Sequence, residues 1–63
     1  MILEEMCEVA KEFTPEDNLS INGGSVIIEN TKFSIVTKIY KELNRRGFQP
    51  VMVSNGENEY YIY

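Results

Sequence analysis

The chain has 63 residues, a formal net charge of −4, one cysteine and no histidine. A single cysteine excludes an internal disulfide, and without histidine the usual zinc-ligand spacings are absent. One domain of this length buries only about 60% of its unfolded surface, so tight packing or self-association must supply the stability that cross-links supply elsewhere.

No apolar run approaches membrane-spanning length, and glutamates occupy the N-terminal region where a signal peptide carries positive charge. The expectation is a cytoplasmic protein with no membrane association. The acidic balance also disfavours general attraction to nucleic-acid phosphate.

In chain order, residues 2–13 predict an amphipathic helix. Ile2, Met6, Val9 and Phe13 form its apolar stripe, with Leu3 and Ala10 beside it, at about 100° per residue. Glu5, Glu8 and Glu12 point the other way, with Glu4 near them. Thr14-Pro15 ends the helix, because a residue before proline avoids the α region. Thr14 and Asp17 are candidates to cap one short helical turn there.

A hairpin follows. Leu19 and Ile21 alternate with Ser20 and Asn22, and either Asn22-Gly23 or Gly23-Gly24 supplies the positive φ of a tight turn into Ser25–Glu29. Either turn register places Leu19, Ile21, Val26 and Ile28 on the core side and Ile27 on the opposite side.

Residues 30–48 give the strongest pattern. Asn30 or Thr31 is expected to cap a helix whose apolar side gathers Val36, Ile39, Tyr40 and Leu43, flanked by Phe33 and Ile35. Ser34, Lys38, Lys41 and Arg45 lie opposite, and Arg46 joins the cations favoured at the helix C-terminus. Gly47 suits the left-handed C′ position, with Phe48 folding back on Leu43 before Pro50 stops continuation.

A second hairpin closes the chain. With either a two-residue loop at 55–56 or a four-residue loop at 55–58, Val51, Val53, Tyr60 and Ile62 face inward, and Met52, Tyr61 and Tyr63 face outward. The expected fold is α+β, helix–hairpin–helix–hairpin, with a mostly antiparallel four-stranded sheet and both helices on one face. Two strand orders keep all neighbours antiparallel, 1-2-4-3 and 2-1-3-4. The apolar YYIY strand favours the first, which places it inside. The two halves match in apolar positions at an offset of thirty (MCEVAKEF against VTKIYKEL), which a shared amphipathic pattern explains as well as duplication does.

Catalytic chemistry finds little support. Cys7 lacks an imidazole partner and reads as a small core residue, the spaced glutamates read as a solvated face, and Gly23-Gly24 has neither the spacing nor the lysine of a phosphate loop. No catalytic, metal or cofactor residues are assigned.

The functional expectation is a non-enzymatic protein-interaction module, in the manner of an inhibitor or adaptor of the sort a virus or mobile element encodes. Its candidate contact residues are Ile27, Met52, Tyr61 and Tyr63 on the open sheet face, with Glu5, Glu8 and Glu12 on the acidic helix. The partner is another protein or a second copy forming a homodimer. The second reading is a nucleic-acid-binding regulator using Lys38, Lys41, Arg45 and Arg46, with Lys32 extending the patch.

Overall fold

A computed structural model describes residues 2–63. The elements run α1 (Ile2–Ala10), a 3-10 turn (Glu16–Asn18), β1 (Leu19–Asn22), β2 (Ser25–Ile28), α2 (Phe33–Arg45), β3 (Met52–Ser54) and β4 (Tyr60–Ile62). Two helices and a four-stranded antiparallel sheet make a small α+β fold, and the 3-10 turn is an addition to a bare succession of helices and hairpins. The sheet order is β1-β2-β4-β3, with the C-terminal strand inside.

One sheet face and both helices share a single core. Met6, Val9 and Ala10 of α1 and Val36, Ile39 and Leu43 of α2 close over Val26, Ile28, Tyr60 and Ile62. Each of these is almost fully removed from water. Phe33 at the start of α2 lies mostly exposed, yet its ring centroid is 5.9 Å from that of Tyr60.

α1 is shorter than its apolar stripe. Its last regular residue is Ala10, and Phe13 and Thr14 both donate their N–H to the Ala10 carbonyl in the closing turn. Ile2 is 63% exposed, so the stripe is buried only from Met6 onward. Neither Thr14 nor Asp17 caps the 3-10 turn, which follows Pro15 without a side-chain cap.

Nor do Asn30 and Thr31 cap α2. The capping position is Lys32, which makes no side-chain cap bond. Asn30 instead takes a left-handed φ of 51° to turn the chain out of β2, and Thr31 is buried. The Thr31 Oγ1 donates to the Glu29 carbonyl at 2.8 Å and lies 3.2 Å from the Thr14 Oγ1, to which Asn18 Nδ2 donates at 3.2 Å. A hydroxyl has one proton to give, so Thr14 must donate to Thr31, and the relay runs Asn18 to Thr14 to Thr31 to Glu29. It joins the end of α1, the start of β1 and the entry to α2.

The C-terminus of α2 closes as the sequence predicts. Gly47 has a φ of 95°, its N–H donates to the Asn44 carbonyl, and the Phe48 N–H reaches back to the Leu43 carbonyl. That is the Schellman pattern of hydrogen bonds. Phe48 then packs against the core.

Of the two registers open to the first hairpin, the structure takes the one with Gly23-Gly24 as its loop and Asn22 opposite Ser25. Ile21 lies on the core side of an edge strand yet is 40% exposed.

The second hairpin corrects the sequence reading. Met52 pairs with Ile62, Val53 with Tyr61 and Ser54 with Tyr60, and the Asn55 N–H donates to the Glu59 carbonyl. The loop proper is Gly56-Glu57-Asn58, with φ of 89° at Gly56 and 60° at Asn58. An odd loop length reverses every side chain of β3 relative to the even lengths expected. Met52 therefore turns inward and packs on the core, while Val51 and Val53 turn outward and remain 48% and 41% exposed. Asparagine tolerates the left-handed conformation that a three-residue loop needs at its end.

Candidate interaction surface

The sheet face away from the helices is assembled by register. Ser20, Ile27, Tyr61 and Val53 lie directly across all four strands. The Val51 and Tyr63 backbones exchange both hydrogen bonds, which sets these two residues side by side as the next row. Ile27, Val51, Val53, Tyr61 and Tyr63 thus form a continuous apolar patch. The prolongation of β4 brings Tyr63 out to 51% exposure. Asn55 Nδ2 donates to the Tyr61 hydroxyl at 2.9 Å and to Glu59 Oε1 at 2.6 Å, fixing the outer end of the Tyr61 ring.

Of the residues expected on this surface, Ile27, Tyr61 and Tyr63 are brought together and Met52 is not. Val51 and Val53 replace it, and the signal for them was Asn58, the residue able to close an odd-length loop.

Charge is distributed unevenly between the two layers. All six lysines and arginines lie on or beside the helices: Lys11, Lys32, Lys38, Lys41, Arg45 and Arg46. Glu8 pairs with Lys11 at 2.6 Å, and Glu12 and Glu42 share Arg46 at 2.9 and 2.7 Å. At the loop end of the sheet, Glu29, Glu57 and Glu59 line a concavity with Asn30, Asn55 and Asn58. Among the described residues, none of these three glutamates has an ion-pair partner. The outer sheet face is apolar in its middle and acidic at one end.

The acidic set expected on the first helix is dispersed. Glu8 and Glu12 are engaged in ion pairs, while Glu5 lines a groove of about 550 Å³ between α1, the Arg46–Gln49 segment and Tyr63. The basic set is also divided. Arg45 and Arg46 are held by Glu42, whose carboxyl their hydrogen bonds and charges lower to about 2, while Lys38 and Lys41 stay exposed. Contact between the acidic and basic helices occurs within one chain, through Arg46 and Glu12.

The half-buried Cys7 thiol is pushed above its ordinary value by burial, with Lys11 opposing and Glu8 and Glu16 reinforcing. It is a poor nucleophile in this setting. Among the described residues, no three His, Cys, Asp or Glu side chains are grouped to hold a metal ion, and no helix is long and apolar enough to cross a membrane. No protein-family model, curated protein or solved structure matches the chain.

Proposed function

We propose that this chain is a small protein-interaction module, acting as an inhibitor or adaptor, which binds a protein partner through its outer sheet face. The observation that carries this reading is the contiguous patch of Ile27, Val51, Val53, Tyr61 and Tyr63 on a face that neither helix covers. Tyrosine and aliphatic side chains without neighbouring cations give a large contact area with little charge to desolvate.

Size sets a limit on how that face works alone. With strands ~4.8 Å apart and residues ~3.4 Å apart along them, the face covers roughly 300 Å², against about 800 Å² per partner in a standard interface. The patch is therefore the anchor, and the partner extends past it onto the acidic end or the groove beside Tyr63.

The nucleic-acid reading is the weaker one, since Glu42 already engages two of the four cations it requires. A comparison of three proteins decides between them: wild type, V51S/Y61S and K38E/K41E. Each is used to capture partners with and without nuclease, and candidates are re-tested with purified components by calorimetry. A partner that survives nuclease and K38E/K41E but is lost with V51S/Y61S supports the module. A partner lost on nuclease treatment and with K38E/K41E overturns it.

A further inference from the structure

We propose that β3 is a self-pairing edge, joining two copies of this chain about a two-fold axis at Val53 into one continuous sheet. This goes beyond the face-docking function and does not depend on it, since it uses main-chain groups at the rim of the sheet.

Antiparallel strands direct alternate residues toward each neighbour. Val51 and Asn55, which flank β3, bond to Tyr63 and Glu59 on either side of β4, and by alternation Val53 between them bonds to Tyr61. The N–H and C=O groups of Met52 and Ser54 consequently point away from the sheet. With Val53 facing Val53 of the second copy, Met52 exchanges both its bonds with the second copy's Ser54, and Ser54 does the same with Met52. Every outward group of β3 finds its complement in the same register.

Natural edges are guarded by charge, bulges or covering segments. From Gln49 to Gly56 the chain carries no charge at all, and its one proline, Pro50, lies outside the strand itself. The other edge is less open: the 3-10 turn already takes the Leu19 N–H through the Glu16 carbonyl, and Glu16 and Asp17 flank it.

The self-complementary register about Val53 selects a second copy as the occupant. One end of β3 leads into Glu57 and Glu59, which have no ion-pair partner among the described residues, and the other leads back to the uncharged Pro50 and Gln49. A two-fold axis sets the acidic end of each copy against the uncharged end of the other, so the carboxylates of the two copies stay apart. It also makes Ile27, Tyr61 and Val53 of both chains one apolar row.

Sedimentation equilibrium and amide hydrogen exchange test this together. Wild type should dimerise at micromolar to submillimolar concentration, with Met52 and Ser54 amides gaining protection as concentration rises and Val53 protected throughout. S54P removes an outward donor without touching the β3–β4 ladder, a position where proline is tolerated. It should weaken the dimer at least tenfold with unchanged circular dichroism. A wild type that stays monomeric overturns the proposal. So does a dimer in which the Met52 and Ser54 amides exchange freely, whatever S54P does. Loss of partner binding in V51S/Y61S bears on the face alone, so the two readings fail separately.

Discussion

Thr14 is a small residue with a large structural duty. Its hydroxyl accepts from Asn18 and donates to Thr31, which passes its own proton to the Glu29 carbonyl, and both threonines are buried. Replacing Thr14 by valine keeps the shape but leaves the buried Thr31 oxygen without its donor and the Asn18 amide with only its long 3.5 Å bond to the Asn30 carbonyl. Unsatisfied buried groups cost more than the bond itself contributes, so T14V should lose about 1–3 kcal/mol in urea unfolding. An unchanged midpoint would show that water replaces the hydroxyl. Glu42 gives a second test at this scale, through pH. Its carboxyl is lowered from the ordinary 4.5 to about 2 by Arg45 and Arg46. A depressed folded value means the contribution is complete above the ordinary value and is lost as pH falls through the folded one. Wild type should therefore lose stability relative to E42Q between about pH 4.5 and pH 2. Parallel urea midpoints of the two proteins across that window would mean that the arginines do not hold the carboxylate in solution.

Among the elements, β3 is where a single residue of loop length decides the chemistry of a surface. M52D places a carboxylate against the core and should cost at least about 2 kcal/mol, whereas V53D lies on the open face and should cost far less. The reverse ranking in thermal or urea unfolding would restore an even-length loop. The contrast with α2 shows what the sequence makes legible. A helix displays its buried side through several turns, so Val36, Ile39 and Leu43 are readable without knowing the ends, and Gly47 declares the stop by its backbone freedom alone. Strand β3 offers three residues, too few for periodicity, and its facing is inherited from the turn. Asn55-Gly56 is a strong hairpin signal, but Asn55 stays in the ladder and Asn58 supplies the left-handed residue. The capping of α2 was obscured for a different reason: Thr31 looks like an N-cap locally, and only the tertiary approach of Thr14 and Asn18 shows that its hydroxyl is already used. The apolar surface was thus legible as a kind of surface, with Tyr61 and Tyr63 on it, while two of its five members depended on a loop.

For the whole molecule the controlling fact is how little core there is. The Cα radius of gyration is 10.1 Å, close to the ~10.6 Å expected for a folded chain of this length. At 0.05–0.15 kcal/mol per residue the total stability is roughly 3–9 kcal/mol. Leu43 is 1% exposed in the middle of the buried cluster, and L43A should remove roughly 2–5 kcal/mol of that. A loss of this size is comparable to the whole margin. Since α1, α2 and the sheet share one cluster, the helical circular dichroism and the near-ultraviolet signal of the buried Tyr60 should fall in a single transition. If β3 self-pairing is coupled to folding, raising the protein concentration should lift the L43A midpoint by mass action, while L43A carrying S54P should show no such dependence. A variant that keeps the wild-type midpoint, or that loses its helical signal well before its aromatic one, would show that α2 and the sheet are not one cooperative unit.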